Sequence, residues 1–213
     1  MCKYQAEWLE LCGIDKHPSV IHYDKNLLIK SDKLIVPLTL YNPYEFRPDP
    51  KTLKKFRKKI LRKTNTDKQV HSFPKKLYIS RGDSSKARGI KNEAALEKKL
   101  EQHNFFILKS SNFSVKEQIQ FFKNADIIVG AHGAGLSNIV FAKRTCKIVE
   151  INQSNYFNTC FSAVYSALEL RGTYIHYIAP SSEPLNINAG SYHEQKTMVN
   201  TNKLLEILMT NSI

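Results

Sequence analysis

Residues 126–141 read DIIVGAHGAGLSNIVF, and this stretch decides the fold. Its first part, DIIVG, is a short apolar run without polar alternation, which is typical of a strand buried on both faces of a parallel sheet. Gly133 and Gly135 leave no side chain where the strand turns, and residues 135–142, GLSNIVFA, have the pattern of a helix. A buried strand that turns directly into a helix is the building unit of an α/β fold.

The same alternation continues on both sides of this stretch. Short apolar runs alternate with amphipathic segments, which predicts a Rossmann-like, doubly wound parallel sheet. Ala95, Leu96 and Leu100 are expected to face inward from the first helix of this region. The predicted strands are 75–80, 104–109, 126–130, 146–151 and 173–178, and the predicted helices are 89–102, 114–125, 135–142, 156–170 and 200–209.

A basic amphipathic helix is predicted upstream of this region. Residues 49–63 read DPKTLKKFRKKILRK, where Asp49 can cap the helix and Leu53, Phe56 and Ile60 recur on one face. A polar segment near 65–75 then predicts a boundary between a first unit and a second one. The first unit is residues 1–74, with further predicted strands at 19–23, 26–30 and 33–37, and the second is residues 75–213.

Positive charge is concentrated around the same helix. The chain has 32 Lys and Arg against 19 Asp and Glu, a net charge of +13, and residues 51–76 alone hold eleven Lys or Arg and one Asp. Such a balance requires an anionic partner. Residues 51–63 are either a solvated surface helix or a helix that contacts anionic lipid headgroups. The lipid-facing side chains would be Lys54, Lys55, Arg57, Lys58 and Lys59.

Nucleic acid is not expected as the anionic partner. The basic helix has no interleaved aromatic residues, and no nucleic-acid-binding module is recognised along the chain.

Composition and cysteine content narrow the class of protein. With 42% hydrophobic and 24% charged residues, the chain is expected to fold. Cys2, Cys12, Cys146 and Cys160 form neither a CxxC pair nor a metal-ligand spacing, which favours a reducing compartment. No stretch is typical of a membrane span or a signal peptide. We therefore expect a cytoplasmic protein, peripheral on the inner membrane if the basic helix contacts lipid. The alternative is the secretory-pathway lumen, for a sequence that belongs to a longer protein.

Polar residues follow three predicted strands at their carboxyl ends, where open parallel sheets bind ligands. Arg81 follows the first strand, AHGAG in residues 131–135 follows the third, and Glu150 follows the apolar part of the fourth. An arginine and the N–H groups of a helix start can hold a phosphate, and a carboxylate can accept the hydroxyls of a ribose. The structural alternatives are tight strand–helix packing with a hydrogen-bonded His132, surface charge and an ordinary loop acid.

The order of these residues resembles the catalytic region of glycosyltransferase family 61, strongly over about residues 76–180 and more weakly upstream. The family pattern is a strand ending in Ser-Arg, a second Arg, Asn-Glu, Glu-Gln-Ile, Val-Gly-x-His-Gly-Ala-Gly-Leu-x-Asn and a final strand that ends in Glu. The matching positions here are Ser80, Arg81, Arg88, Asn92, Glu93, Glu117, Gln118, Ile119, Val129, Gly130, His132, Gly133, Ala134, Gly135, Leu136, Asn138 and Glu150.

The resemblance implies an inverting glycosyltransferase of the GT-B type, in which two Rossmann-like halves face a cleft. This chain would be its carboxyl-terminal half, with residues 1–74 the remnant of the acceptor-side domain and residues 75–213 the nucleotide-sugar-binding domain. Family members transfer N-acetylglucosamine, xylose or arabinose from UDP-sugars, or belong to bacterial capsular polysaccharide or lipopolysaccharide synthesis. The implied partners are a nucleotide-sugar donor, expected to be a UDP-sugar, and a glycan or glycoconjugate acceptor. Neither a metal nor another cofactor is expected.

The resemblance also implies roles for single residues. Arg81 and the helix start would neutralise the diphosphate, Glu150 would hold the ribose, and His132 is the candidate catalytic base. Only about 75 residues precede the first predicted strand of the second unit, which is too few for a full acceptor-side half. The alternative is therefore a non-catalytic protein that binds a nucleotide sugar or glycan. The full implied donor site is Ser80, Arg81, Arg88, Asn92, Glu117, Gln118, His132, Gly133, Ala134, Gly135, Asn138 and Glu150.

Overall fold

The computed structural model describes residues 3–16, 32, 48–64, 72–82, 89–180 and 196–210. In this part of the chain, five strands form one sheet in the order β2-β1-β3-β4-β5, and all neighbouring pairs are parallel. The predicted α/β fold with a parallel sheet is therefore confirmed, whereas the strands predicted at 19–37 lie outside the described residues. The bounds are β1 (Lys76–Ile79), β2 (Phe106–Leu108), β3 (Ile127–Ala131), β4 (Lys147–Gln153) and β5 (Tyr174–Ala179).

Helices occupy all the positions that were predicted from residue 49 onward. The connection from β3 to β4 is a 3-10 helix, Ala134–Phe141, in which the Leu136 N–H donates to the Gly133 carbonyl at 2.9 Å. The first helix of the chain was not predicted. The α-helices are α1 (Lys3–Cys12), α2 (Pro50–Thr64), α3 (Glu93–Glu101), α4 (Val115–Asn124), α5 (Cys160–Ala167) and α6 (Thr201–Met209).

Helices cover both faces of the sheet, as a doubly wound topology requires. Successive strand residues point to opposite faces, so Leu77 and Tyr78 of β1 belong to two different core clusters. α3 and α6 pack on the face of Tyr78, mainly through leucines. α1, α2, α4, α5 and the 3-10 helix contribute to the cluster on the face of Leu77.

The basic helix α2 is docked on the sheet as its pattern predicts. Asp49 caps it by accepting the Thr52 N–H at 2.7 Å. Ile60 is fully buried, and Leu53 and Phe56 pack against the same cluster. Burial of one such aliphatic side chain stabilises the fold by about 1.5–3 kcal/mol. The described helices of the first predicted unit thus share a core with the sheet. The domain boundary itself stays a prediction, because residues 65–71 lie outside the described ranges.

One expectation about α3 is wrong. Leu96 and Leu100, four residues apart, are fully buried, but Ala95 is exposed. Only the line of leucines faces the sheet, and a residue one step away is rotated by about 100° around the helix. α3 therefore buries a narrow face.

The strand order places the carboxyl ends of β1 and β3 side by side, where the sheet changes its winding direction. The chain leaves β1 toward β2 on one side and returns to β3 on the other, so β1 lies next to β3. Ligands of open parallel sheets bind at the carboxyl ends of strands at this point. Among the described helices, none is long and apolar enough to cross a membrane.

Candidate functional site

Arg81 lies against the glycine-rich turn that follows β3. β1 ends at Ile79, so Arg81 leaves the sheet beside the end of β3. Its Nη1 atom donates to the His132 carbonyl at 3.4 Å. A Cβ atom on Gly133 would collide with this same nitrogen. The missing side chain of Gly133 therefore makes the space in which a cation covers the turn.

The backbone of Arg81 is fixed from α3. Glu93, in the first turn of that helix, accepts the Arg81 N–H at 2.8 Å and the Tyr78 hydroxyl at 3.1 Å. Burial, and then the neighbouring Glu93 carboxylate, raise the pKa of Tyr78 well above its usual value. Tyr78 therefore stays protonated and keeps donating. Glu93 of α3 thus fixes the end of β1 from which the Arg81 side chain extends.

His132 and Glu150 form a buried pair at the same turn. His132 Nδ1 lies 2.5 Å from Glu150 Oε1, and the two residues are 7% and 0% exposed. The imidazole packs against the rings of Tyr156 and Phe161, with centroids 5.4 and 5.0 Å away. His132 follows β3 directly, and Glu150 lies in β4 opposite Gly130.

Two side chains of β5 also contact the Glu150 carboxylate. The Tyr174 hydroxyl donates to Oε2 at 2.6 Å, and His176 Nδ1 lies 3.2 Å from the same oxygen. His176 stands directly opposite Glu150 in the sheet register, and the Asn152 amide nitrogen is 3.1 Å from its Nδ1. Burial and the nearby carboxylate raise the pKa of Tyr174 far above its usual range. One carboxylate is thus surrounded by a tyrosine and two histidines.

The Glu150 carboxylate is engaged within the protein. Its side chain is fully buried, and three side chains contact its oxygens. A ribose would have to replace one of these partners, so the ribose contact of Glu150 stays a prediction. The contact with His132 Nδ1 holds the imidazole ring in one orientation.

The second part of the glycine-rich turn lines a pocket of about 430 Å³. Ala134 and Gly135 form one wall, beside Gln118 of α4 and Asn138 of the 3-10 helix. The Asn138 amide donates to Gln118 Oε1 at 3.0 Å, and the Gln118 amide donates to the Ser110 carbonyl at 2.9 Å. The first N–H groups of a helix lack partners within it and suit an anion. Four predicted site residues therefore meet in one pocket.

α1 forms the opposite side of this pocket, which the sequence did not indicate. Lys3, Tyr4 and Glu7 line it. Glu7 Oε2 also accepts the Val115 N–H at 2.6 Å, so α1 caps the start of α4. A helix from the beginning of the chain is in this way fixed next to the glycine-rich turn.

Ser80 and Asn92 have hydrogen-bond partners within the protein, and their donor contacts stay predictions. The Ser80 hydroxyl donates to Glu97 of α3 at 2.6 Å, and the residue is 4% exposed. The Asn92 amide donates to the Val199 carbonyl at 2.8 Å, and its oxygen accepts the Val199 N–H at 3.1 Å. Ser80 therefore supports the Arg81 strand end, and Asn92 fastens the segment before α6.

Glu117 lies in the first turn of α4, away from the pocket that Gln118 lines. Glu117 completes the predicted capping box of α4, where its Oε2 accepts the Ser114 N–H at 2.7 Å. It lines a different pocket from Gln118, because adjacent helical residues point in different directions. Arg88 lies outside the described residues, and its donor contact stays a prediction.

Tyr174 and His176 are the functional residues that the sequence analysis missed. Their signal was strand alternation, which places Tyr174 and His176 of β5 on one face of the sheet. That face is also the face of Glu150 once β5 is known to pair with β4. Strand order supplies this information, and local sequence does not.

A comparison with known proteins decides the family. The model of a family described as Glycosyltransferase 61 matches residues 6–149, more than half of the chain. The chain belongs to glycosyltransferase family 61. This family 61 protein is also 32% identical over 87 residues to a beta-1,2-xylosyltransferase of Oryza sativa subsp. japonica. That alignment covers 38% of the chain and 16% of the relative, so the chain matches a small part of the relative's length.

The family 61 match includes more of the amino-terminal segment than the motifs suggested. It begins within α1 and includes α2, β1, β2, β3, the glycine-rich turn and the first three residues of β4. It ends at Val149, one residue before Glu150. In this family 61 protein, Glu150 follows the matched region directly, and its β5 partners Tyr174 and His176 lie further along the chain.

Proposed function

We propose that this family 61 protein transfers a sugar, with inversion, from a nucleotide-diphosphate donor to a hydroxyl group of a glycan or glycoconjugate. The observation that carries the proposal is that Arg81 covers the same turn in which Glu150 holds His132. An inverting transfer needs stabilisation of the departing diphosphate and a base for the acceptor hydroxyl. Residues 81 and 132 supply these two functions side by side.

Arg81 and the start of the 3-10 helix would stabilise the departing diphosphate. The guanidinium lies on Gly133, and Ala134 and Gly135 line the adjacent pocket of about 430 Å³. An arginine can bind two phosphate oxygens at once, and helix N–H groups add further donors. As the bond from the anomeric carbon to the diphosphate oxygen breaks, the new negative charge meets these groups.

His132 would act as the base. Its Nε2 takes the proton of the acceptor hydroxyl while that oxygen attacks the anomeric carbon opposite the leaving diphosphate. A single displacement of this kind inverts the configuration. Glu150 stabilises the imidazolium that forms, because its carboxylate lies 2.5 Å from Nδ1.

The GT-B arrangement and the donor sugar are proposed from the family and from the matched relative. The described sheet would be the donor-binding half of a GT-B enzyme, and the acceptor would lie on the side of the amino-terminal half. UDP-xylose is the first donor to test because the matched relative is named a xylosyltransferase. UDP-N-acetylglucosamine and a UDP-hexose come next. The compartment, either cytoplasm or secretory-pathway lumen, stays a prediction.

The test is turnover by the wild type and by His132→Asn and Glu150→Gln, with these UDP-sugars and a panel of glycan acceptors. We expect His132→Asn to lower kcat by at least about 100-fold, the usual contribution of a general base. Glu150→Gln is expected to lower kcat as well, with little change in UDP affinity. His103→Asn and Glu101→Gln, at the end of α3, are matched controls that should retain activity.

The outcomes separate the two functions considered for this chain. An inverted product from the wild type that is lost in His132→Asn supports the proposal. UDP binding without product for every donor and acceptor supports the non-catalytic binder instead. Full turnover by His132→Asn would contradict the assignment of the base.

A further inference from the structure

α2 carries a line of exposed cations. Lys51, Lys55, Lys58 and Arg62 follow each other at spacings of four, three and four residues, and all are exposed. Residues three and four apart lie above one another on a helix, and eleven steps cover about 16 Å at 1.5 Å per residue. We refer to these four residues as the cationic stripe.

The other cations of α2 hold the protein together. Lys54 pairs with Glu169 at 2.6 Å, and Arg57 donates to the last turn of the 3-10 helix at 2.9 Å. Lys59 and Lys63 donate to carbonyls at the end of α1, at 3.3 and 2.9 Å. The lipid contacts expected for Lys54, Arg57 and Lys59 stay predictions, and the four residues of the stripe are the exposed cations of α2 for which these contacts within the protein do not account.

A groove of about 550 Å³ runs beside the stripe. Lys58 and Arg62 form one side, and Arg144 lines it from the loop before β4. Leu61, Leu168 and Leu170 add apolar lining, and Glu169 adds a carboxylate that Lys54 neutralises at 2.6 Å. The loops of the groove lead into the amino ends of β4 and β5, whereas the glycine-rich turn is at the carboxyl end of β3. The groove is therefore separate from the candidate donor pocket.

The apolar side of α2 is not available to a membrane. Ile60 is fully buried, and Leu53 and Phe56 pack against the core. A helix that inserts into the interface needs its apolar face for the acyl chains. Any contact of α2 with a membrane must therefore be electrostatic.

We propose that the cationic stripe and the groove beside it form a docking surface for the anionic headgroups of a phospholipid membrane. A straight line of four cations fits a flat anionic surface, and the groove accepts a phosphate among Lys58, Arg62 and Arg144. The described lining contains no aromatic side chain on which a base could stack, which favours lipid over nucleic acid. This docking does not depend on the proposed transfer reaction.

The test is sedimentation of the full chain with vesicles of phosphatidylcholine alone and with vesicles in which about one lipid in three is phosphatidylglycerol. We expect binding to the anionic vesicles only, and its loss in about 0.5 M NaCl, because salt screens exposed charges. Replacing all four stripe residues by Gln should weaken binding by about 1,000-fold, since each cation near an anionic surface contributes about 1 kcal/mol.

A matched control removes the same charge elsewhere. Lys98, Lys99, Lys109 and Lys203 are exposed outside α2, and their replacement by Gln should leave vesicle binding within about threefold of wild type. Equal binding to neutral vesicles, or an equal loss in both variants, would overturn the proposal. Binding to a nucleic-acid duplex with no preference for anionic vesicles would also overturn it. Thermal melting of each variant shows whether it is folded.

Discussion

The candidate site depends on the absence of one side chain. Gly133 has an extended backbone, with φ of 164°, so its role is not conformational. Its role is steric, because the Arg81 guanidinium occupies the volume that a Cβ atom would fill. The cation and the turn can be close only because residue 133 is glycine.

Gly133→Ala tests this packing. We expect the methyl group to displace the Arg81 guanidinium from the turn and to weaken UDP binding by about tenfold or more, which corresponds to about 1.4 kcal/mol. Titration calorimetry with UDP measures the effect. Gly82→Ala is the control, since its Cβ would lie at an ordinary 3.4 Å from Ser80 Oγ. Equal UDP affinity in wild type and Gly133→Ala would show that Arg81 does not act from this position.

The sequence predicts some residues of this site and misses others. Arg81, His132 and Gly133 were predictable because each follows a recognisable strand of a parallel sheet. The partners of Glu150 were not, because Tyr174 and His176 come from β5 and meet the carboxylate only through strand pairing. The same contacts occupy the carboxylate to which the sequence analysis assigned a ribose.

At the scale of elements, α1 links the start of the chain to the pocket. Glu7 caps α4 through the Val115 N–H, and Trp8 stacks near Phe56 and Phe141 with ring centroids 6.1 Å apart in both pairs. α1 thus joins α4, α2 and the 3-10 helix.

Glu7→Ala tests the link between α1 and α4. Loss of the cap should lower the free energy of unfolding by about 1–2 kcal/mol, as for other helix caps and charged hydrogen bonds. Urea unfolding followed by circular dichroism measures it. Glu10→Ala, at an exposed position of the same helix, should change stability by less than about 0.5 kcal/mol. A Glu7→Ala variant as stable as Glu10→Ala would mean that the cap contributes nothing.

Elements were predicted well where periodicity was strong. The Asp49 cap and the apolar positions of α2 gave that helix nearly to the residue, and the capping box gave the start of α4. α1 was not predicted. Its apolar side chains pack on α2 and the 3-10 helix, which the local sequence does not reveal. The length of α5 was overestimated at both ends, since Tyr156 forms an isolated bridge with Gln153 and the chain turns at Leu168 and Glu169.

At the scale of the whole molecule, the strand order explains where the chemistry lies. The switch of winding direction puts β1 beside β3, and Arg81 therefore meets the turn at His132. The cationic stripe lies on α2, and its groove is at the other ends of the strands. The positive charge of α2 is thus divided between contacts within the protein and an outward-facing surface. Sequence alone gave the amount of charge but not this division.

The measurement that tests the central claim most directly is calorimetric titration of UDP into the wild type, Arg81→Ala and Arg171→Ala. The account predicts that the wild type binds UDP, that Arg81→Ala weakens binding by about tenfold or more, and that the exposed Arg171→Ala does not. Equal affinity in wild type and Arg81→Ala, or no binding of UDP to the wild type, would contradict a donor site at the turn after β3.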